Sequence, residues 1–234
     1  MATTTIGAPG VTFPDATVQT SAGATSVNVM TVGTASGTWT KPATVKSIKV
    51  TVVGGGGNGG PAGRGSPVPS GLTTIAYGST SGGGGGGGYS QRMYPAASLP
   101  GPQPYTVGGV AGTSSFGVAP ITVVTATGGA SAAGSTGTPG GSGSAGGGAG
   151  GAGSNGNINI AGQDGGTGAT GANVGGSTVL GFGAFSNAAA SVGNAGKVYG
   201  GAGSGATINP STSTGTALAA AAGSAGVVII EEFY

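Results

Sequence analysis

Glycine recurs at every third position through the middle of this chain, between Gly137 and Gly171. One register runs from Gly137 to Gly146, and a second begins at Gly147 with Asn159 as its one exception. A period of three matches neither the α-helix, with about 3.6 residues per turn, nor the strand, with two. It matches polyproline II, which has three residues per turn and no hydrogen bonds of its own. Because buried backbone groups need partners, we expect several such runs to pack side by side and to bond to one another.

Collagen and disorder are the two alternatives for this stretch. Collagen also needs glycine at every third position, but it needs abundant proline as well, and Pro139 stands alone here. The change of register after Gly146 also argues against collagen. Disorder is favoured by a glycine and proline content near one third and by few Leu, Ile, Val and Phe residues. Disordered chains usually carry a high net charge, however, and the net charge here is +2.

Charged residues make up 4% of the chain, and the six Lys and Arg residues are scattered. Nucleic-acid binding needs clustered Lys and Arg side chains, so nucleic-acid binding is not expected. The chain has no His and no Cys, which excludes catalytic triads built on them and metal sites that need them. No apolar stretch is long enough to cross a membrane and no signal peptide is visible, so we expect synthesis in the cytoplasm without membrane insertion.

The sequence gives little support to three chemical interpretations, which are a glycosidase, a dinucleotide-binding site and a metal site. A glycosidase needs two carboxylates about 5–10 Å apart, but Glu231 and Glu232 would point to opposite faces of a strand. Gly54–Gly60 gives a GxGxxG-like match without the acidic residue that a dinucleotide site needs about 20 residues later. Asp164 and nearby amides offer oxygen ligands for a cation. Those amides belong to Asn155, Asn157 and Gln163. We predict no enzyme, no cofactor and no metal site.

Two β-prone segments bracket the glycine-rich body. In Val45–Val53, apolar residues at 48, 50 and 52 alternate with polar ones, which predicts a half-buried strand. Val227–Ile230 predicts a second strand, and we expect the two strands to share one sheet that ties the chain ends together. Weaker strands are predicted at Ser26–Val32, Tyr89–Tyr94, Tyr105–Val107 and Ile121–Thr127. One helical turn is expected at Ala217–Ala222.

The predicted fold class is mainly β and irregular, with almost no α-helix. It consists of a bundle of glycine-rich, polyproline-II-like (polyglycine II) helices framed by short β-strands. Residues 1–37 are too few for a core and are predicted to be an arm for attachment or oligomerisation, while residues 38–234 form the glycine-rich domain. Three stretches are expected to be loops leaving one end of the bundle: Ala62–Thr80, Met93–Pro104 and Val174–Pro210.

Seven segments, in this order and spacing, resemble the glycine-rich domain of bacteriophage tail-fibre proteins. They are TWTKPATVKSIKVTVVGGGGNGG, GGGGGGGYSQRMY, YTVGGVAG, TSSFG, TATGG, INIAGQDGG and AGSAGVVIIEEFY, between Thr38 and Tyr234. GVTFPDATVQTSA (Gly10–Ala22) is also similar to a segment common in tail fibres, with Ala16 where glycine is usual. The resemblance therefore covers most of the chain.

The resemblance implies a virion protein at a fibre tip or in a short fibre, which attaches the particle to its host through loops at one end of the bundle. Its expected partners are other tail proteins, copies of itself in a homotrimer or a trimeric fibre on which it docks, and a bacterial surface receptor, either a glycan or an outer-membrane protein. Two alternatives are a structural fibre or decoration protein without receptor binding, and an ice-binding polyglycine II protein.

Loop residues of arginine and aromatic type are the candidates for receptor contact, because these types are enriched at binding hot spots. The candidates are Arg64, Tyr77, Arg92, Tyr94, Phe182, Phe185 and Tyr199. Aromatic residues beside predicted strands are assigned instead to sealing the ends of the bundle. These are Trp39, Tyr89, Phe116 and Phe233.

Overall fold

The computed structural model describes residues 35–63, 78–137, 143–168, 173–185, 191–208 and 217–234, and the backbone alone of residue 142 and of four strands between residues 5 and 32. Within these residues there is no α-helix, and a single 3₁₀ helix spans Ala96–Ser98. The mainly β prediction with almost no helix is confirmed. The strands are β1 (Thr5–Gly7), β2 (Gly10–Thr12), β3 (Val18–Gln19), β4 (Val27–Val32), β5 (Gly37–Trp39), β6 (Ser47–Val53), β7 (Ala62–Gly63), β8 (Gly78–Thr80), β9 (Tyr89–Pro95), β10 (Gln103–Thr106), β11 (Ser114–Phe116), β12 (Val124–Ala126), β13 (Ser135–Thr136), β14 (Ser142–Ser144), β15 (Gly153–Ser154), β16 (Ile158–Ile160), β17 (Thr207–Ile208) and β18 (Val227–Phe233).

Two five-stranded antiparallel sheets pack face to face, and we call this unit the sandwich. The main sheet has the order β16-β9-β6-β18-β4, and the second sheet has the order β15-β12-β11-β10-β5. Val53 lies opposite Val227 in the β6–β18 pair, which confirms that the two bracketing segments share a sheet. Three smaller sheets join β1-β2-β3, β13-β7 and β14-β8-β17.

The alternation predicted for β6 builds the core of the sandwich. Ile48, Val50 and Val52 are fully buried, and they share one hydrophobic cluster with Trp39 and Phe116 of the second sheet. The Trp39 and Phe116 ring centroids are 6.3 Å apart at a tilted angle, which is a favourable aromatic geometry. Both aromatic residues therefore belong to the core of the sandwich. The sequence instead predicted a role for them in sealing the ends of the bundle.

Strand β4 comes from the segment predicted to be an arm, yet it forms an edge of the main sheet. It pairs with β18 so that Val27 lies opposite Phe233 and Val32 lies opposite Val228. The boundary at residue 37 and the oligomeric role of the arm stay predictions.

Glycine runs extend from the sandwich as direct continuations of its strands. Strand β6 leads into Gly54–Gly60, and Gly82–Gly88, which we call the central run, leads into β9. Successive N–H groups of the central run donate to three neighbouring runs in turn, with N···O distances of 2.8–3.0 Å. The donor and acceptor pairs are Gly83–Gly166, Gly84–Gly203, Gly85–Ala130, Gly86–Gln163, Gly87–Gly200 and Gly88–Thr127. The hydrogen bonding thus repeats every three residues.

The carbonyl groups of the central run accept hydrogen bonds from three other runs. Gly82, Gly85 and Gly88 accept from the N–H groups of Gly60, Gly57 and Gly54. Gly83 and Gly86 accept from Gly148 and Gly151, and Gly84 accepts from Gly176. The central run is therefore bonded to six neighbours.

Glycine is required throughout the central run because the neighbouring backbones fill the space of a side chain. A Cβ built at any of its seven positions would lie closer than 3.0 Å to a backbone atom of another run. At Gly85 these atoms belong to Ala149 and Gly148, and at Gly83 they belong to Val174 and Gly175. Any larger residue would push two runs apart.

Met93–Pro104 was predicted to be a loop leaving the bundle, and this prediction is wrong. Met93–Pro95 is the end of β9, Ala96–Ser98 is the 3₁₀ helix, and Gln103–Pro104 begins β10, so the segment links the two sheets of the sandwich.

Two further local predictions are wrong. Val174–Pro210 is not one loop, since Val174 accepts a hydrogen bond from Gly166 and Gly205 donates one to Asn173 within the packed runs. The helical turn expected at Ala217–Ala222 is not formed. Ala221 instead accepts a hydrogen bond from Gly59, and Leu218 bridges to Ala62. In both cases bonding to a neighbouring run competes successfully with the local preference of the sequence.

The glycine runs end away from the sandwich at what we call the run end. The described ranges stop after residues 63, 137, 168, 185 and 208 and resume at 78, 142, 173, 191 and 217, and we call the intervening segments of the sequence the connections. Residues that flank the connections are bonded to one another. The pairs are Gly63–Gly137, Gly78–Ser142, Thr80–Thr207, Ser191–Thr207 and Ala62–Leu218. The sandwich and these flanking residues therefore lie at opposite ends of the runs.

Substituting one buried glycine should show how much the fold depends on close backbone contact. Gly85→Ala places a methyl group against the Ala149 carbonyl, and we expect it to lower the free energy of unfolding by about 1–3 kcal/mol or more, as overpacking does. Thermal and denaturant unfolding of the purified variant measure this loss.

Gly146→Ala is the matched control, because a Cβ there has no atom within 4 Å. We expect it to leave stability unchanged or to raise it by up to about 1 kcal/mol through a less flexible unfolded chain. Equal unfolding midpoints for the two variants would contradict the packing argument.

Candidate functional site

The seven candidate residues do not come together in one site. Arg64 and Tyr77 lie outside the described residues, between β7 and β8 in the sequence. Arg92 and Tyr94 lie on β9 in the sandwich, and Phe182 and Phe185 lie on the flank of the runs. Tyr199 lies where the runs meet the sandwich.

Phe182 and Phe185 form the most exposed apolar feature of the described residues. Their exposed fractions are 73% and 81%, whereas Gly183 and Ala184 between them are buried. The two rings therefore lie on the same side of the run, three residues apart. They line a shallow cavity of about 520 Å³ that we call the aromatic groove. Its other lining residues are Gly183, Ala184, Asn194, Ala195 and Lys197.

The backbone under the two rings is held on several sides. The Phe182 carbonyl accepts a hydrogen bond from the Lys197 N–H at 3.0 Å, and the Ala184 N–H donates to the Ala202 carbonyl at 2.9 Å. The Asn194 side chain donates from Nδ2 to the Phe185 carbonyl at 2.8 Å. The rings are thus exposed on a fixed support, which is a different situation from a core aromatic residue that has lost its cover.

Lys197 is the one charged side chain that lines the aromatic groove. It is exposed, and no carboxylate of the described residues forms an ion pair with it. The electrostatic character of the groove is therefore positive. Long-range attraction of an anionic ligand is consistent with this charge.

Arg92 and Tyr94 border a second cavity of about 330 Å³ in the sandwich. Arg92 donates from a guanidinium nitrogen to the Asn155 carbonyl at 2.6 Å, and its guanidinium carbon lies 5.5 Å from the Tyr94 ring centroid. This is a cation–π geometry. Both contacts hold the arginine against the protein surface. The remaining lining residues are Met93, Pro95, Ser98, Pro120, Ile121 and Thr122.

Tyr94 is a core residue, and its burial removes it from the candidates for direct receptor contact. It is 3% exposed, its ring centroid lies 5.8 Å from that of Phe116, and its hydroxyl donates to the Thr122 carbonyl at 2.6 Å. Burial raises the pKa of Tyr94 to about 12, although the nearby Arg92 charge acts in the opposite direction. The burial of Tyr94 follows from the pairing of β9 with β6, which sets Tyr94 opposite the buried Ile48.

Tyr199 seals the junction between the sandwich and the runs. It is half-buried and packs against the buried cluster of Val53, Tyr89 and Val227. Its φ of 30° and the φ of 87° at Gly200 mark a tight turn that leads into the run at 200–203. The ring therefore supports the fold.

The carboxylates of the described residues are all engaged with protein groups. Glu231 forms an ion pair with Lys49, and Asp164 accepts a hydrogen bond from the Gly150 N–H at 2.7 Å. Glu232 is buried and accepts from Trp39 Nε1 at 2.7 Å and from the Tyr234 hydroxyl at 2.6 Å. Asp15 lies outside the described residues. Each carboxylate thus has a structural partner.

The amides considered as cation ligands with Asp164 also bind separate backbone groups. Asn155 donates to the Val123 carbonyl, and Asn157 accepts from the Met93 N–H. Gln163 accepts from the Ser177 N–H. Within the described ranges, no cluster of three or more acidic, His or Cys side chains is arranged to hold a metal ion.

In comparison with known proteins, no family model matches this chain and no curated protein matches its sequence. The likeness to tail-fibre domains therefore stays a prediction that depends on the segments quoted above. None of the helices in the described part of the chain has the length and apolar character to cross a membrane.

The pKa of Tyr94 gives a test of its buried position. Because the folded-state pKa of about 12 exceeds the ordinary value of 10.0, the neutral phenol stabilises the fold fully below pH 10, and this contribution is lost as the pH rises through 12. Tyr94→Phe should remove this part of the pH dependence. At neutral pH it should cost about 1 kcal/mol for the lost hydrogen bond.

Denaturant unfolding of the parent protein and of Tyr94→Phe at pH 8, 10 and 11.5 measures the difference. Lysine deprotonation affects both proteins equally, so it cancels in the comparison. The same loss of stability above pH 10 in both proteins would contradict the burial of an ionisable phenol here.

Proposed function

We propose that this chain is a non-enzymatic component of a bacteriophage tail fibre, at the fibre tip or in a short fibre, that attaches the particle to its host. Attachment takes place through the connections at the run end. The proposal includes the finer fold assignment, in which the glycine runs are polyglycine II helices. The seven segments that resemble tail-fibre glycine-rich domains support the family.

Support for the polyglycine II assignment comes from the central run. Its hydrogen bonds repeat every three residues and reach six neighbours, as expected for parallel or antiparallel helices with three residues per turn in hexagonal packing. The positions of the glycines support the same assignment, since a Cβ on the central run meets a neighbouring backbone at every position.

The observation that carries the functional proposal is the separation of the two ends. The sandwich contains β4 and β18, so Val27 and Phe233 both lie in it. The described residues that flank the connections lie at the opposite end of the runs. An attachment protein needs one end fixed to the particle and the other presented to the cell, and this polarity supplies both.

Binding is favoured over catalysis because no described carboxylate is available for acid–base work. Asp164, Glu231 and Glu232 are each engaged with protein groups, and the sequence contains neither His nor Cys. A glycosidase would need a pair of free carboxylates facing one substrate. The run-end connections carry Arg64 and Tyr77, which are residue types suited to receptor binding.

In the proposed setting the protein resides in the virion after synthesis in the host cytoplasm. Residues before Val27 attach it to other tail proteins, either as a homotrimer or docked on a trimeric fibre. The receptor is a glycan or an outer-membrane protein of the bacterial surface. Nucleic acid and membrane insertion have no part in this function.

Adsorption of particles that carry variants of the protein tests the proposal. Arg64→Ala combined with Tyr77→Ala should slow adsorption to host cells at least tenfold without changing the unfolding midpoint, because a receptor contact is lost while the runs are untouched. Val118→Ala serves as the matched control, since Val118 is 51% exposed and lies outside the run end.

Unchanged adsorption in the double variant, and also in Phe182→Ala with Phe185→Ala, would contradict receptor binding and favour a structural fibre or decoration protein. Thermal hysteresis of the purified protein would favour the ice-binding alternative. Two exposed phenylalanine rings project from the flank, whereas an ice-binding face is expected to be flat and built from small residues.

A further inference from the structure

The aromatic groove has the side-chain types of a carbohydrate-binding surface. Among the described residues, Phe182 and Phe185 are the two most exposed large apolar side chains, and both project from a hydrogen-bonded support. A sugar ring has an apolar face of C–H groups and a polar edge of hydroxyls. Such a ring stacks on an aromatic ring while its edge binds polar side chains. We propose that this groove binds an extended acidic polysaccharide.

The spacing of the two rings favours a repeating ligand. Phe182 and Phe185 lie three residues apart on one side of their run. At about 3.1 Å per residue, three residues of such a helix advance roughly 9 Å. This length is close to that of a disaccharide repeat in an extended polysaccharide. The two rings therefore meet equivalent faces of alternate sugars along one glycan chain.

The floor and edges of the groove fit the same ligand. Gly183, Ala184 and Ala195 present no large side chain between the rings, so a flat chain of sugars can lie along the groove. Asn194 uses its Nδ2 to hold the Phe185 carbonyl, and its amide oxygen is an acceptor for a sugar hydroxyl. An apolar peptide would need a deeper pocket for its anchor residues.

The charge of the groove selects an acidic glycan over a neutral one. Lys197 lines the groove, no carboxylate does, and no described carboxylate pairs with this lysine. A uronate carboxylate that reaches Lys197 gains a charge-assisted hydrogen bond. This inference depends on the proposed function, and it adds a glycan-binding surface on the flank of the runs to the attachment through the run end.

Affinity electrophoresis of the full chain tests the proposal. Gels containing polygalacturonate, alginate or hyaluronan are compared with gels containing neutral dextran. We expect at least one acidic polymer to retard the protein more than dextran does, with weaker retardation at higher salt. Phe182→Ala and Phe185→Ala should each weaken binding at least tenfold. Lys197→Gln should remove the preference for the acidic polymer.

Val192→Ala is the matched control, since Val192 is 54% exposed and does not line the groove. We expect it to bind like the parent protein. Failure of all three acidic polymers to retard the parent protein would overturn the proposal, as would equal retardation of the parent and the phenylalanine variants. A dimer in sedimentation that dissociates in Phe182→Ala with Phe185→Ala would also overturn it, because the groove would then hold a second copy of the chain.

The adsorption experiment separates this proposal from the proposed function. If particles adsorb to cells but the protein binds no acidic polysaccharide, attachment stands and the glycan groove fails. If the protein binds the polysaccharide but particles that lack the protein adsorb normally, the groove stands and the attachment role fails.

Discussion

Close backbone contact between glycine runs is the constraint on which the rest of this structure depends. The central run is bonded to six neighbours, and each of its seven glycines is packed against another backbone. Each hydrogen bond contributes a net stabilisation of only about 1 kcal/mol, while glycine loses more conformational entropy on folding than any other residue. The runs therefore depend on their number and on a frame that fixes their ends.

The sandwich is that frame. Its core of Trp39, Phe116 and the buried face of β6 supplies the hydrophobic stabilisation that the runs lack. Because β6 continues into Gly54–Gly60 and the central run continues into β9, the register of the sheet is passed directly to the first hydrogen bonds between runs. Gly54 bonds to Gly88 immediately beyond the point where Val53 lies opposite Tyr89. The hydrogen bonding of the sheet is thus continuous with that of the runs.

Local patterns predicted six of the ten sandwich strands, namely β4, β6, β9, β10, β12 and β18, but not β5, β11, β15 and β16. They also did not predict which residues the packing would bury. The alternation of Ile48, Val50 and Val52 and the apolar run at Val227 each predicted a strand, and each is present. Tyr94 was misplaced because its burial depends on a strand 40 or more residues away in the sequence. Val174–Pro210 was misread because its partners, such as Gly166 and Asn173, carry no local signal of pairing. The sequence predicted part of the candidate site, since Phe182 and Phe185 were both candidates for receptor contact and are three residues apart.

The three-residue repeat of the runs also limits how this kind of sequence can change in length. Inserting one residue into a run would turn every following residue by a third of a turn, so that side chains now facing outward would meet a neighbouring backbone. Inserting three residues would restore the direction of each N–H and each Cβ. Length changes in multiples of three within the runs would be the mark of this architecture among related sequences.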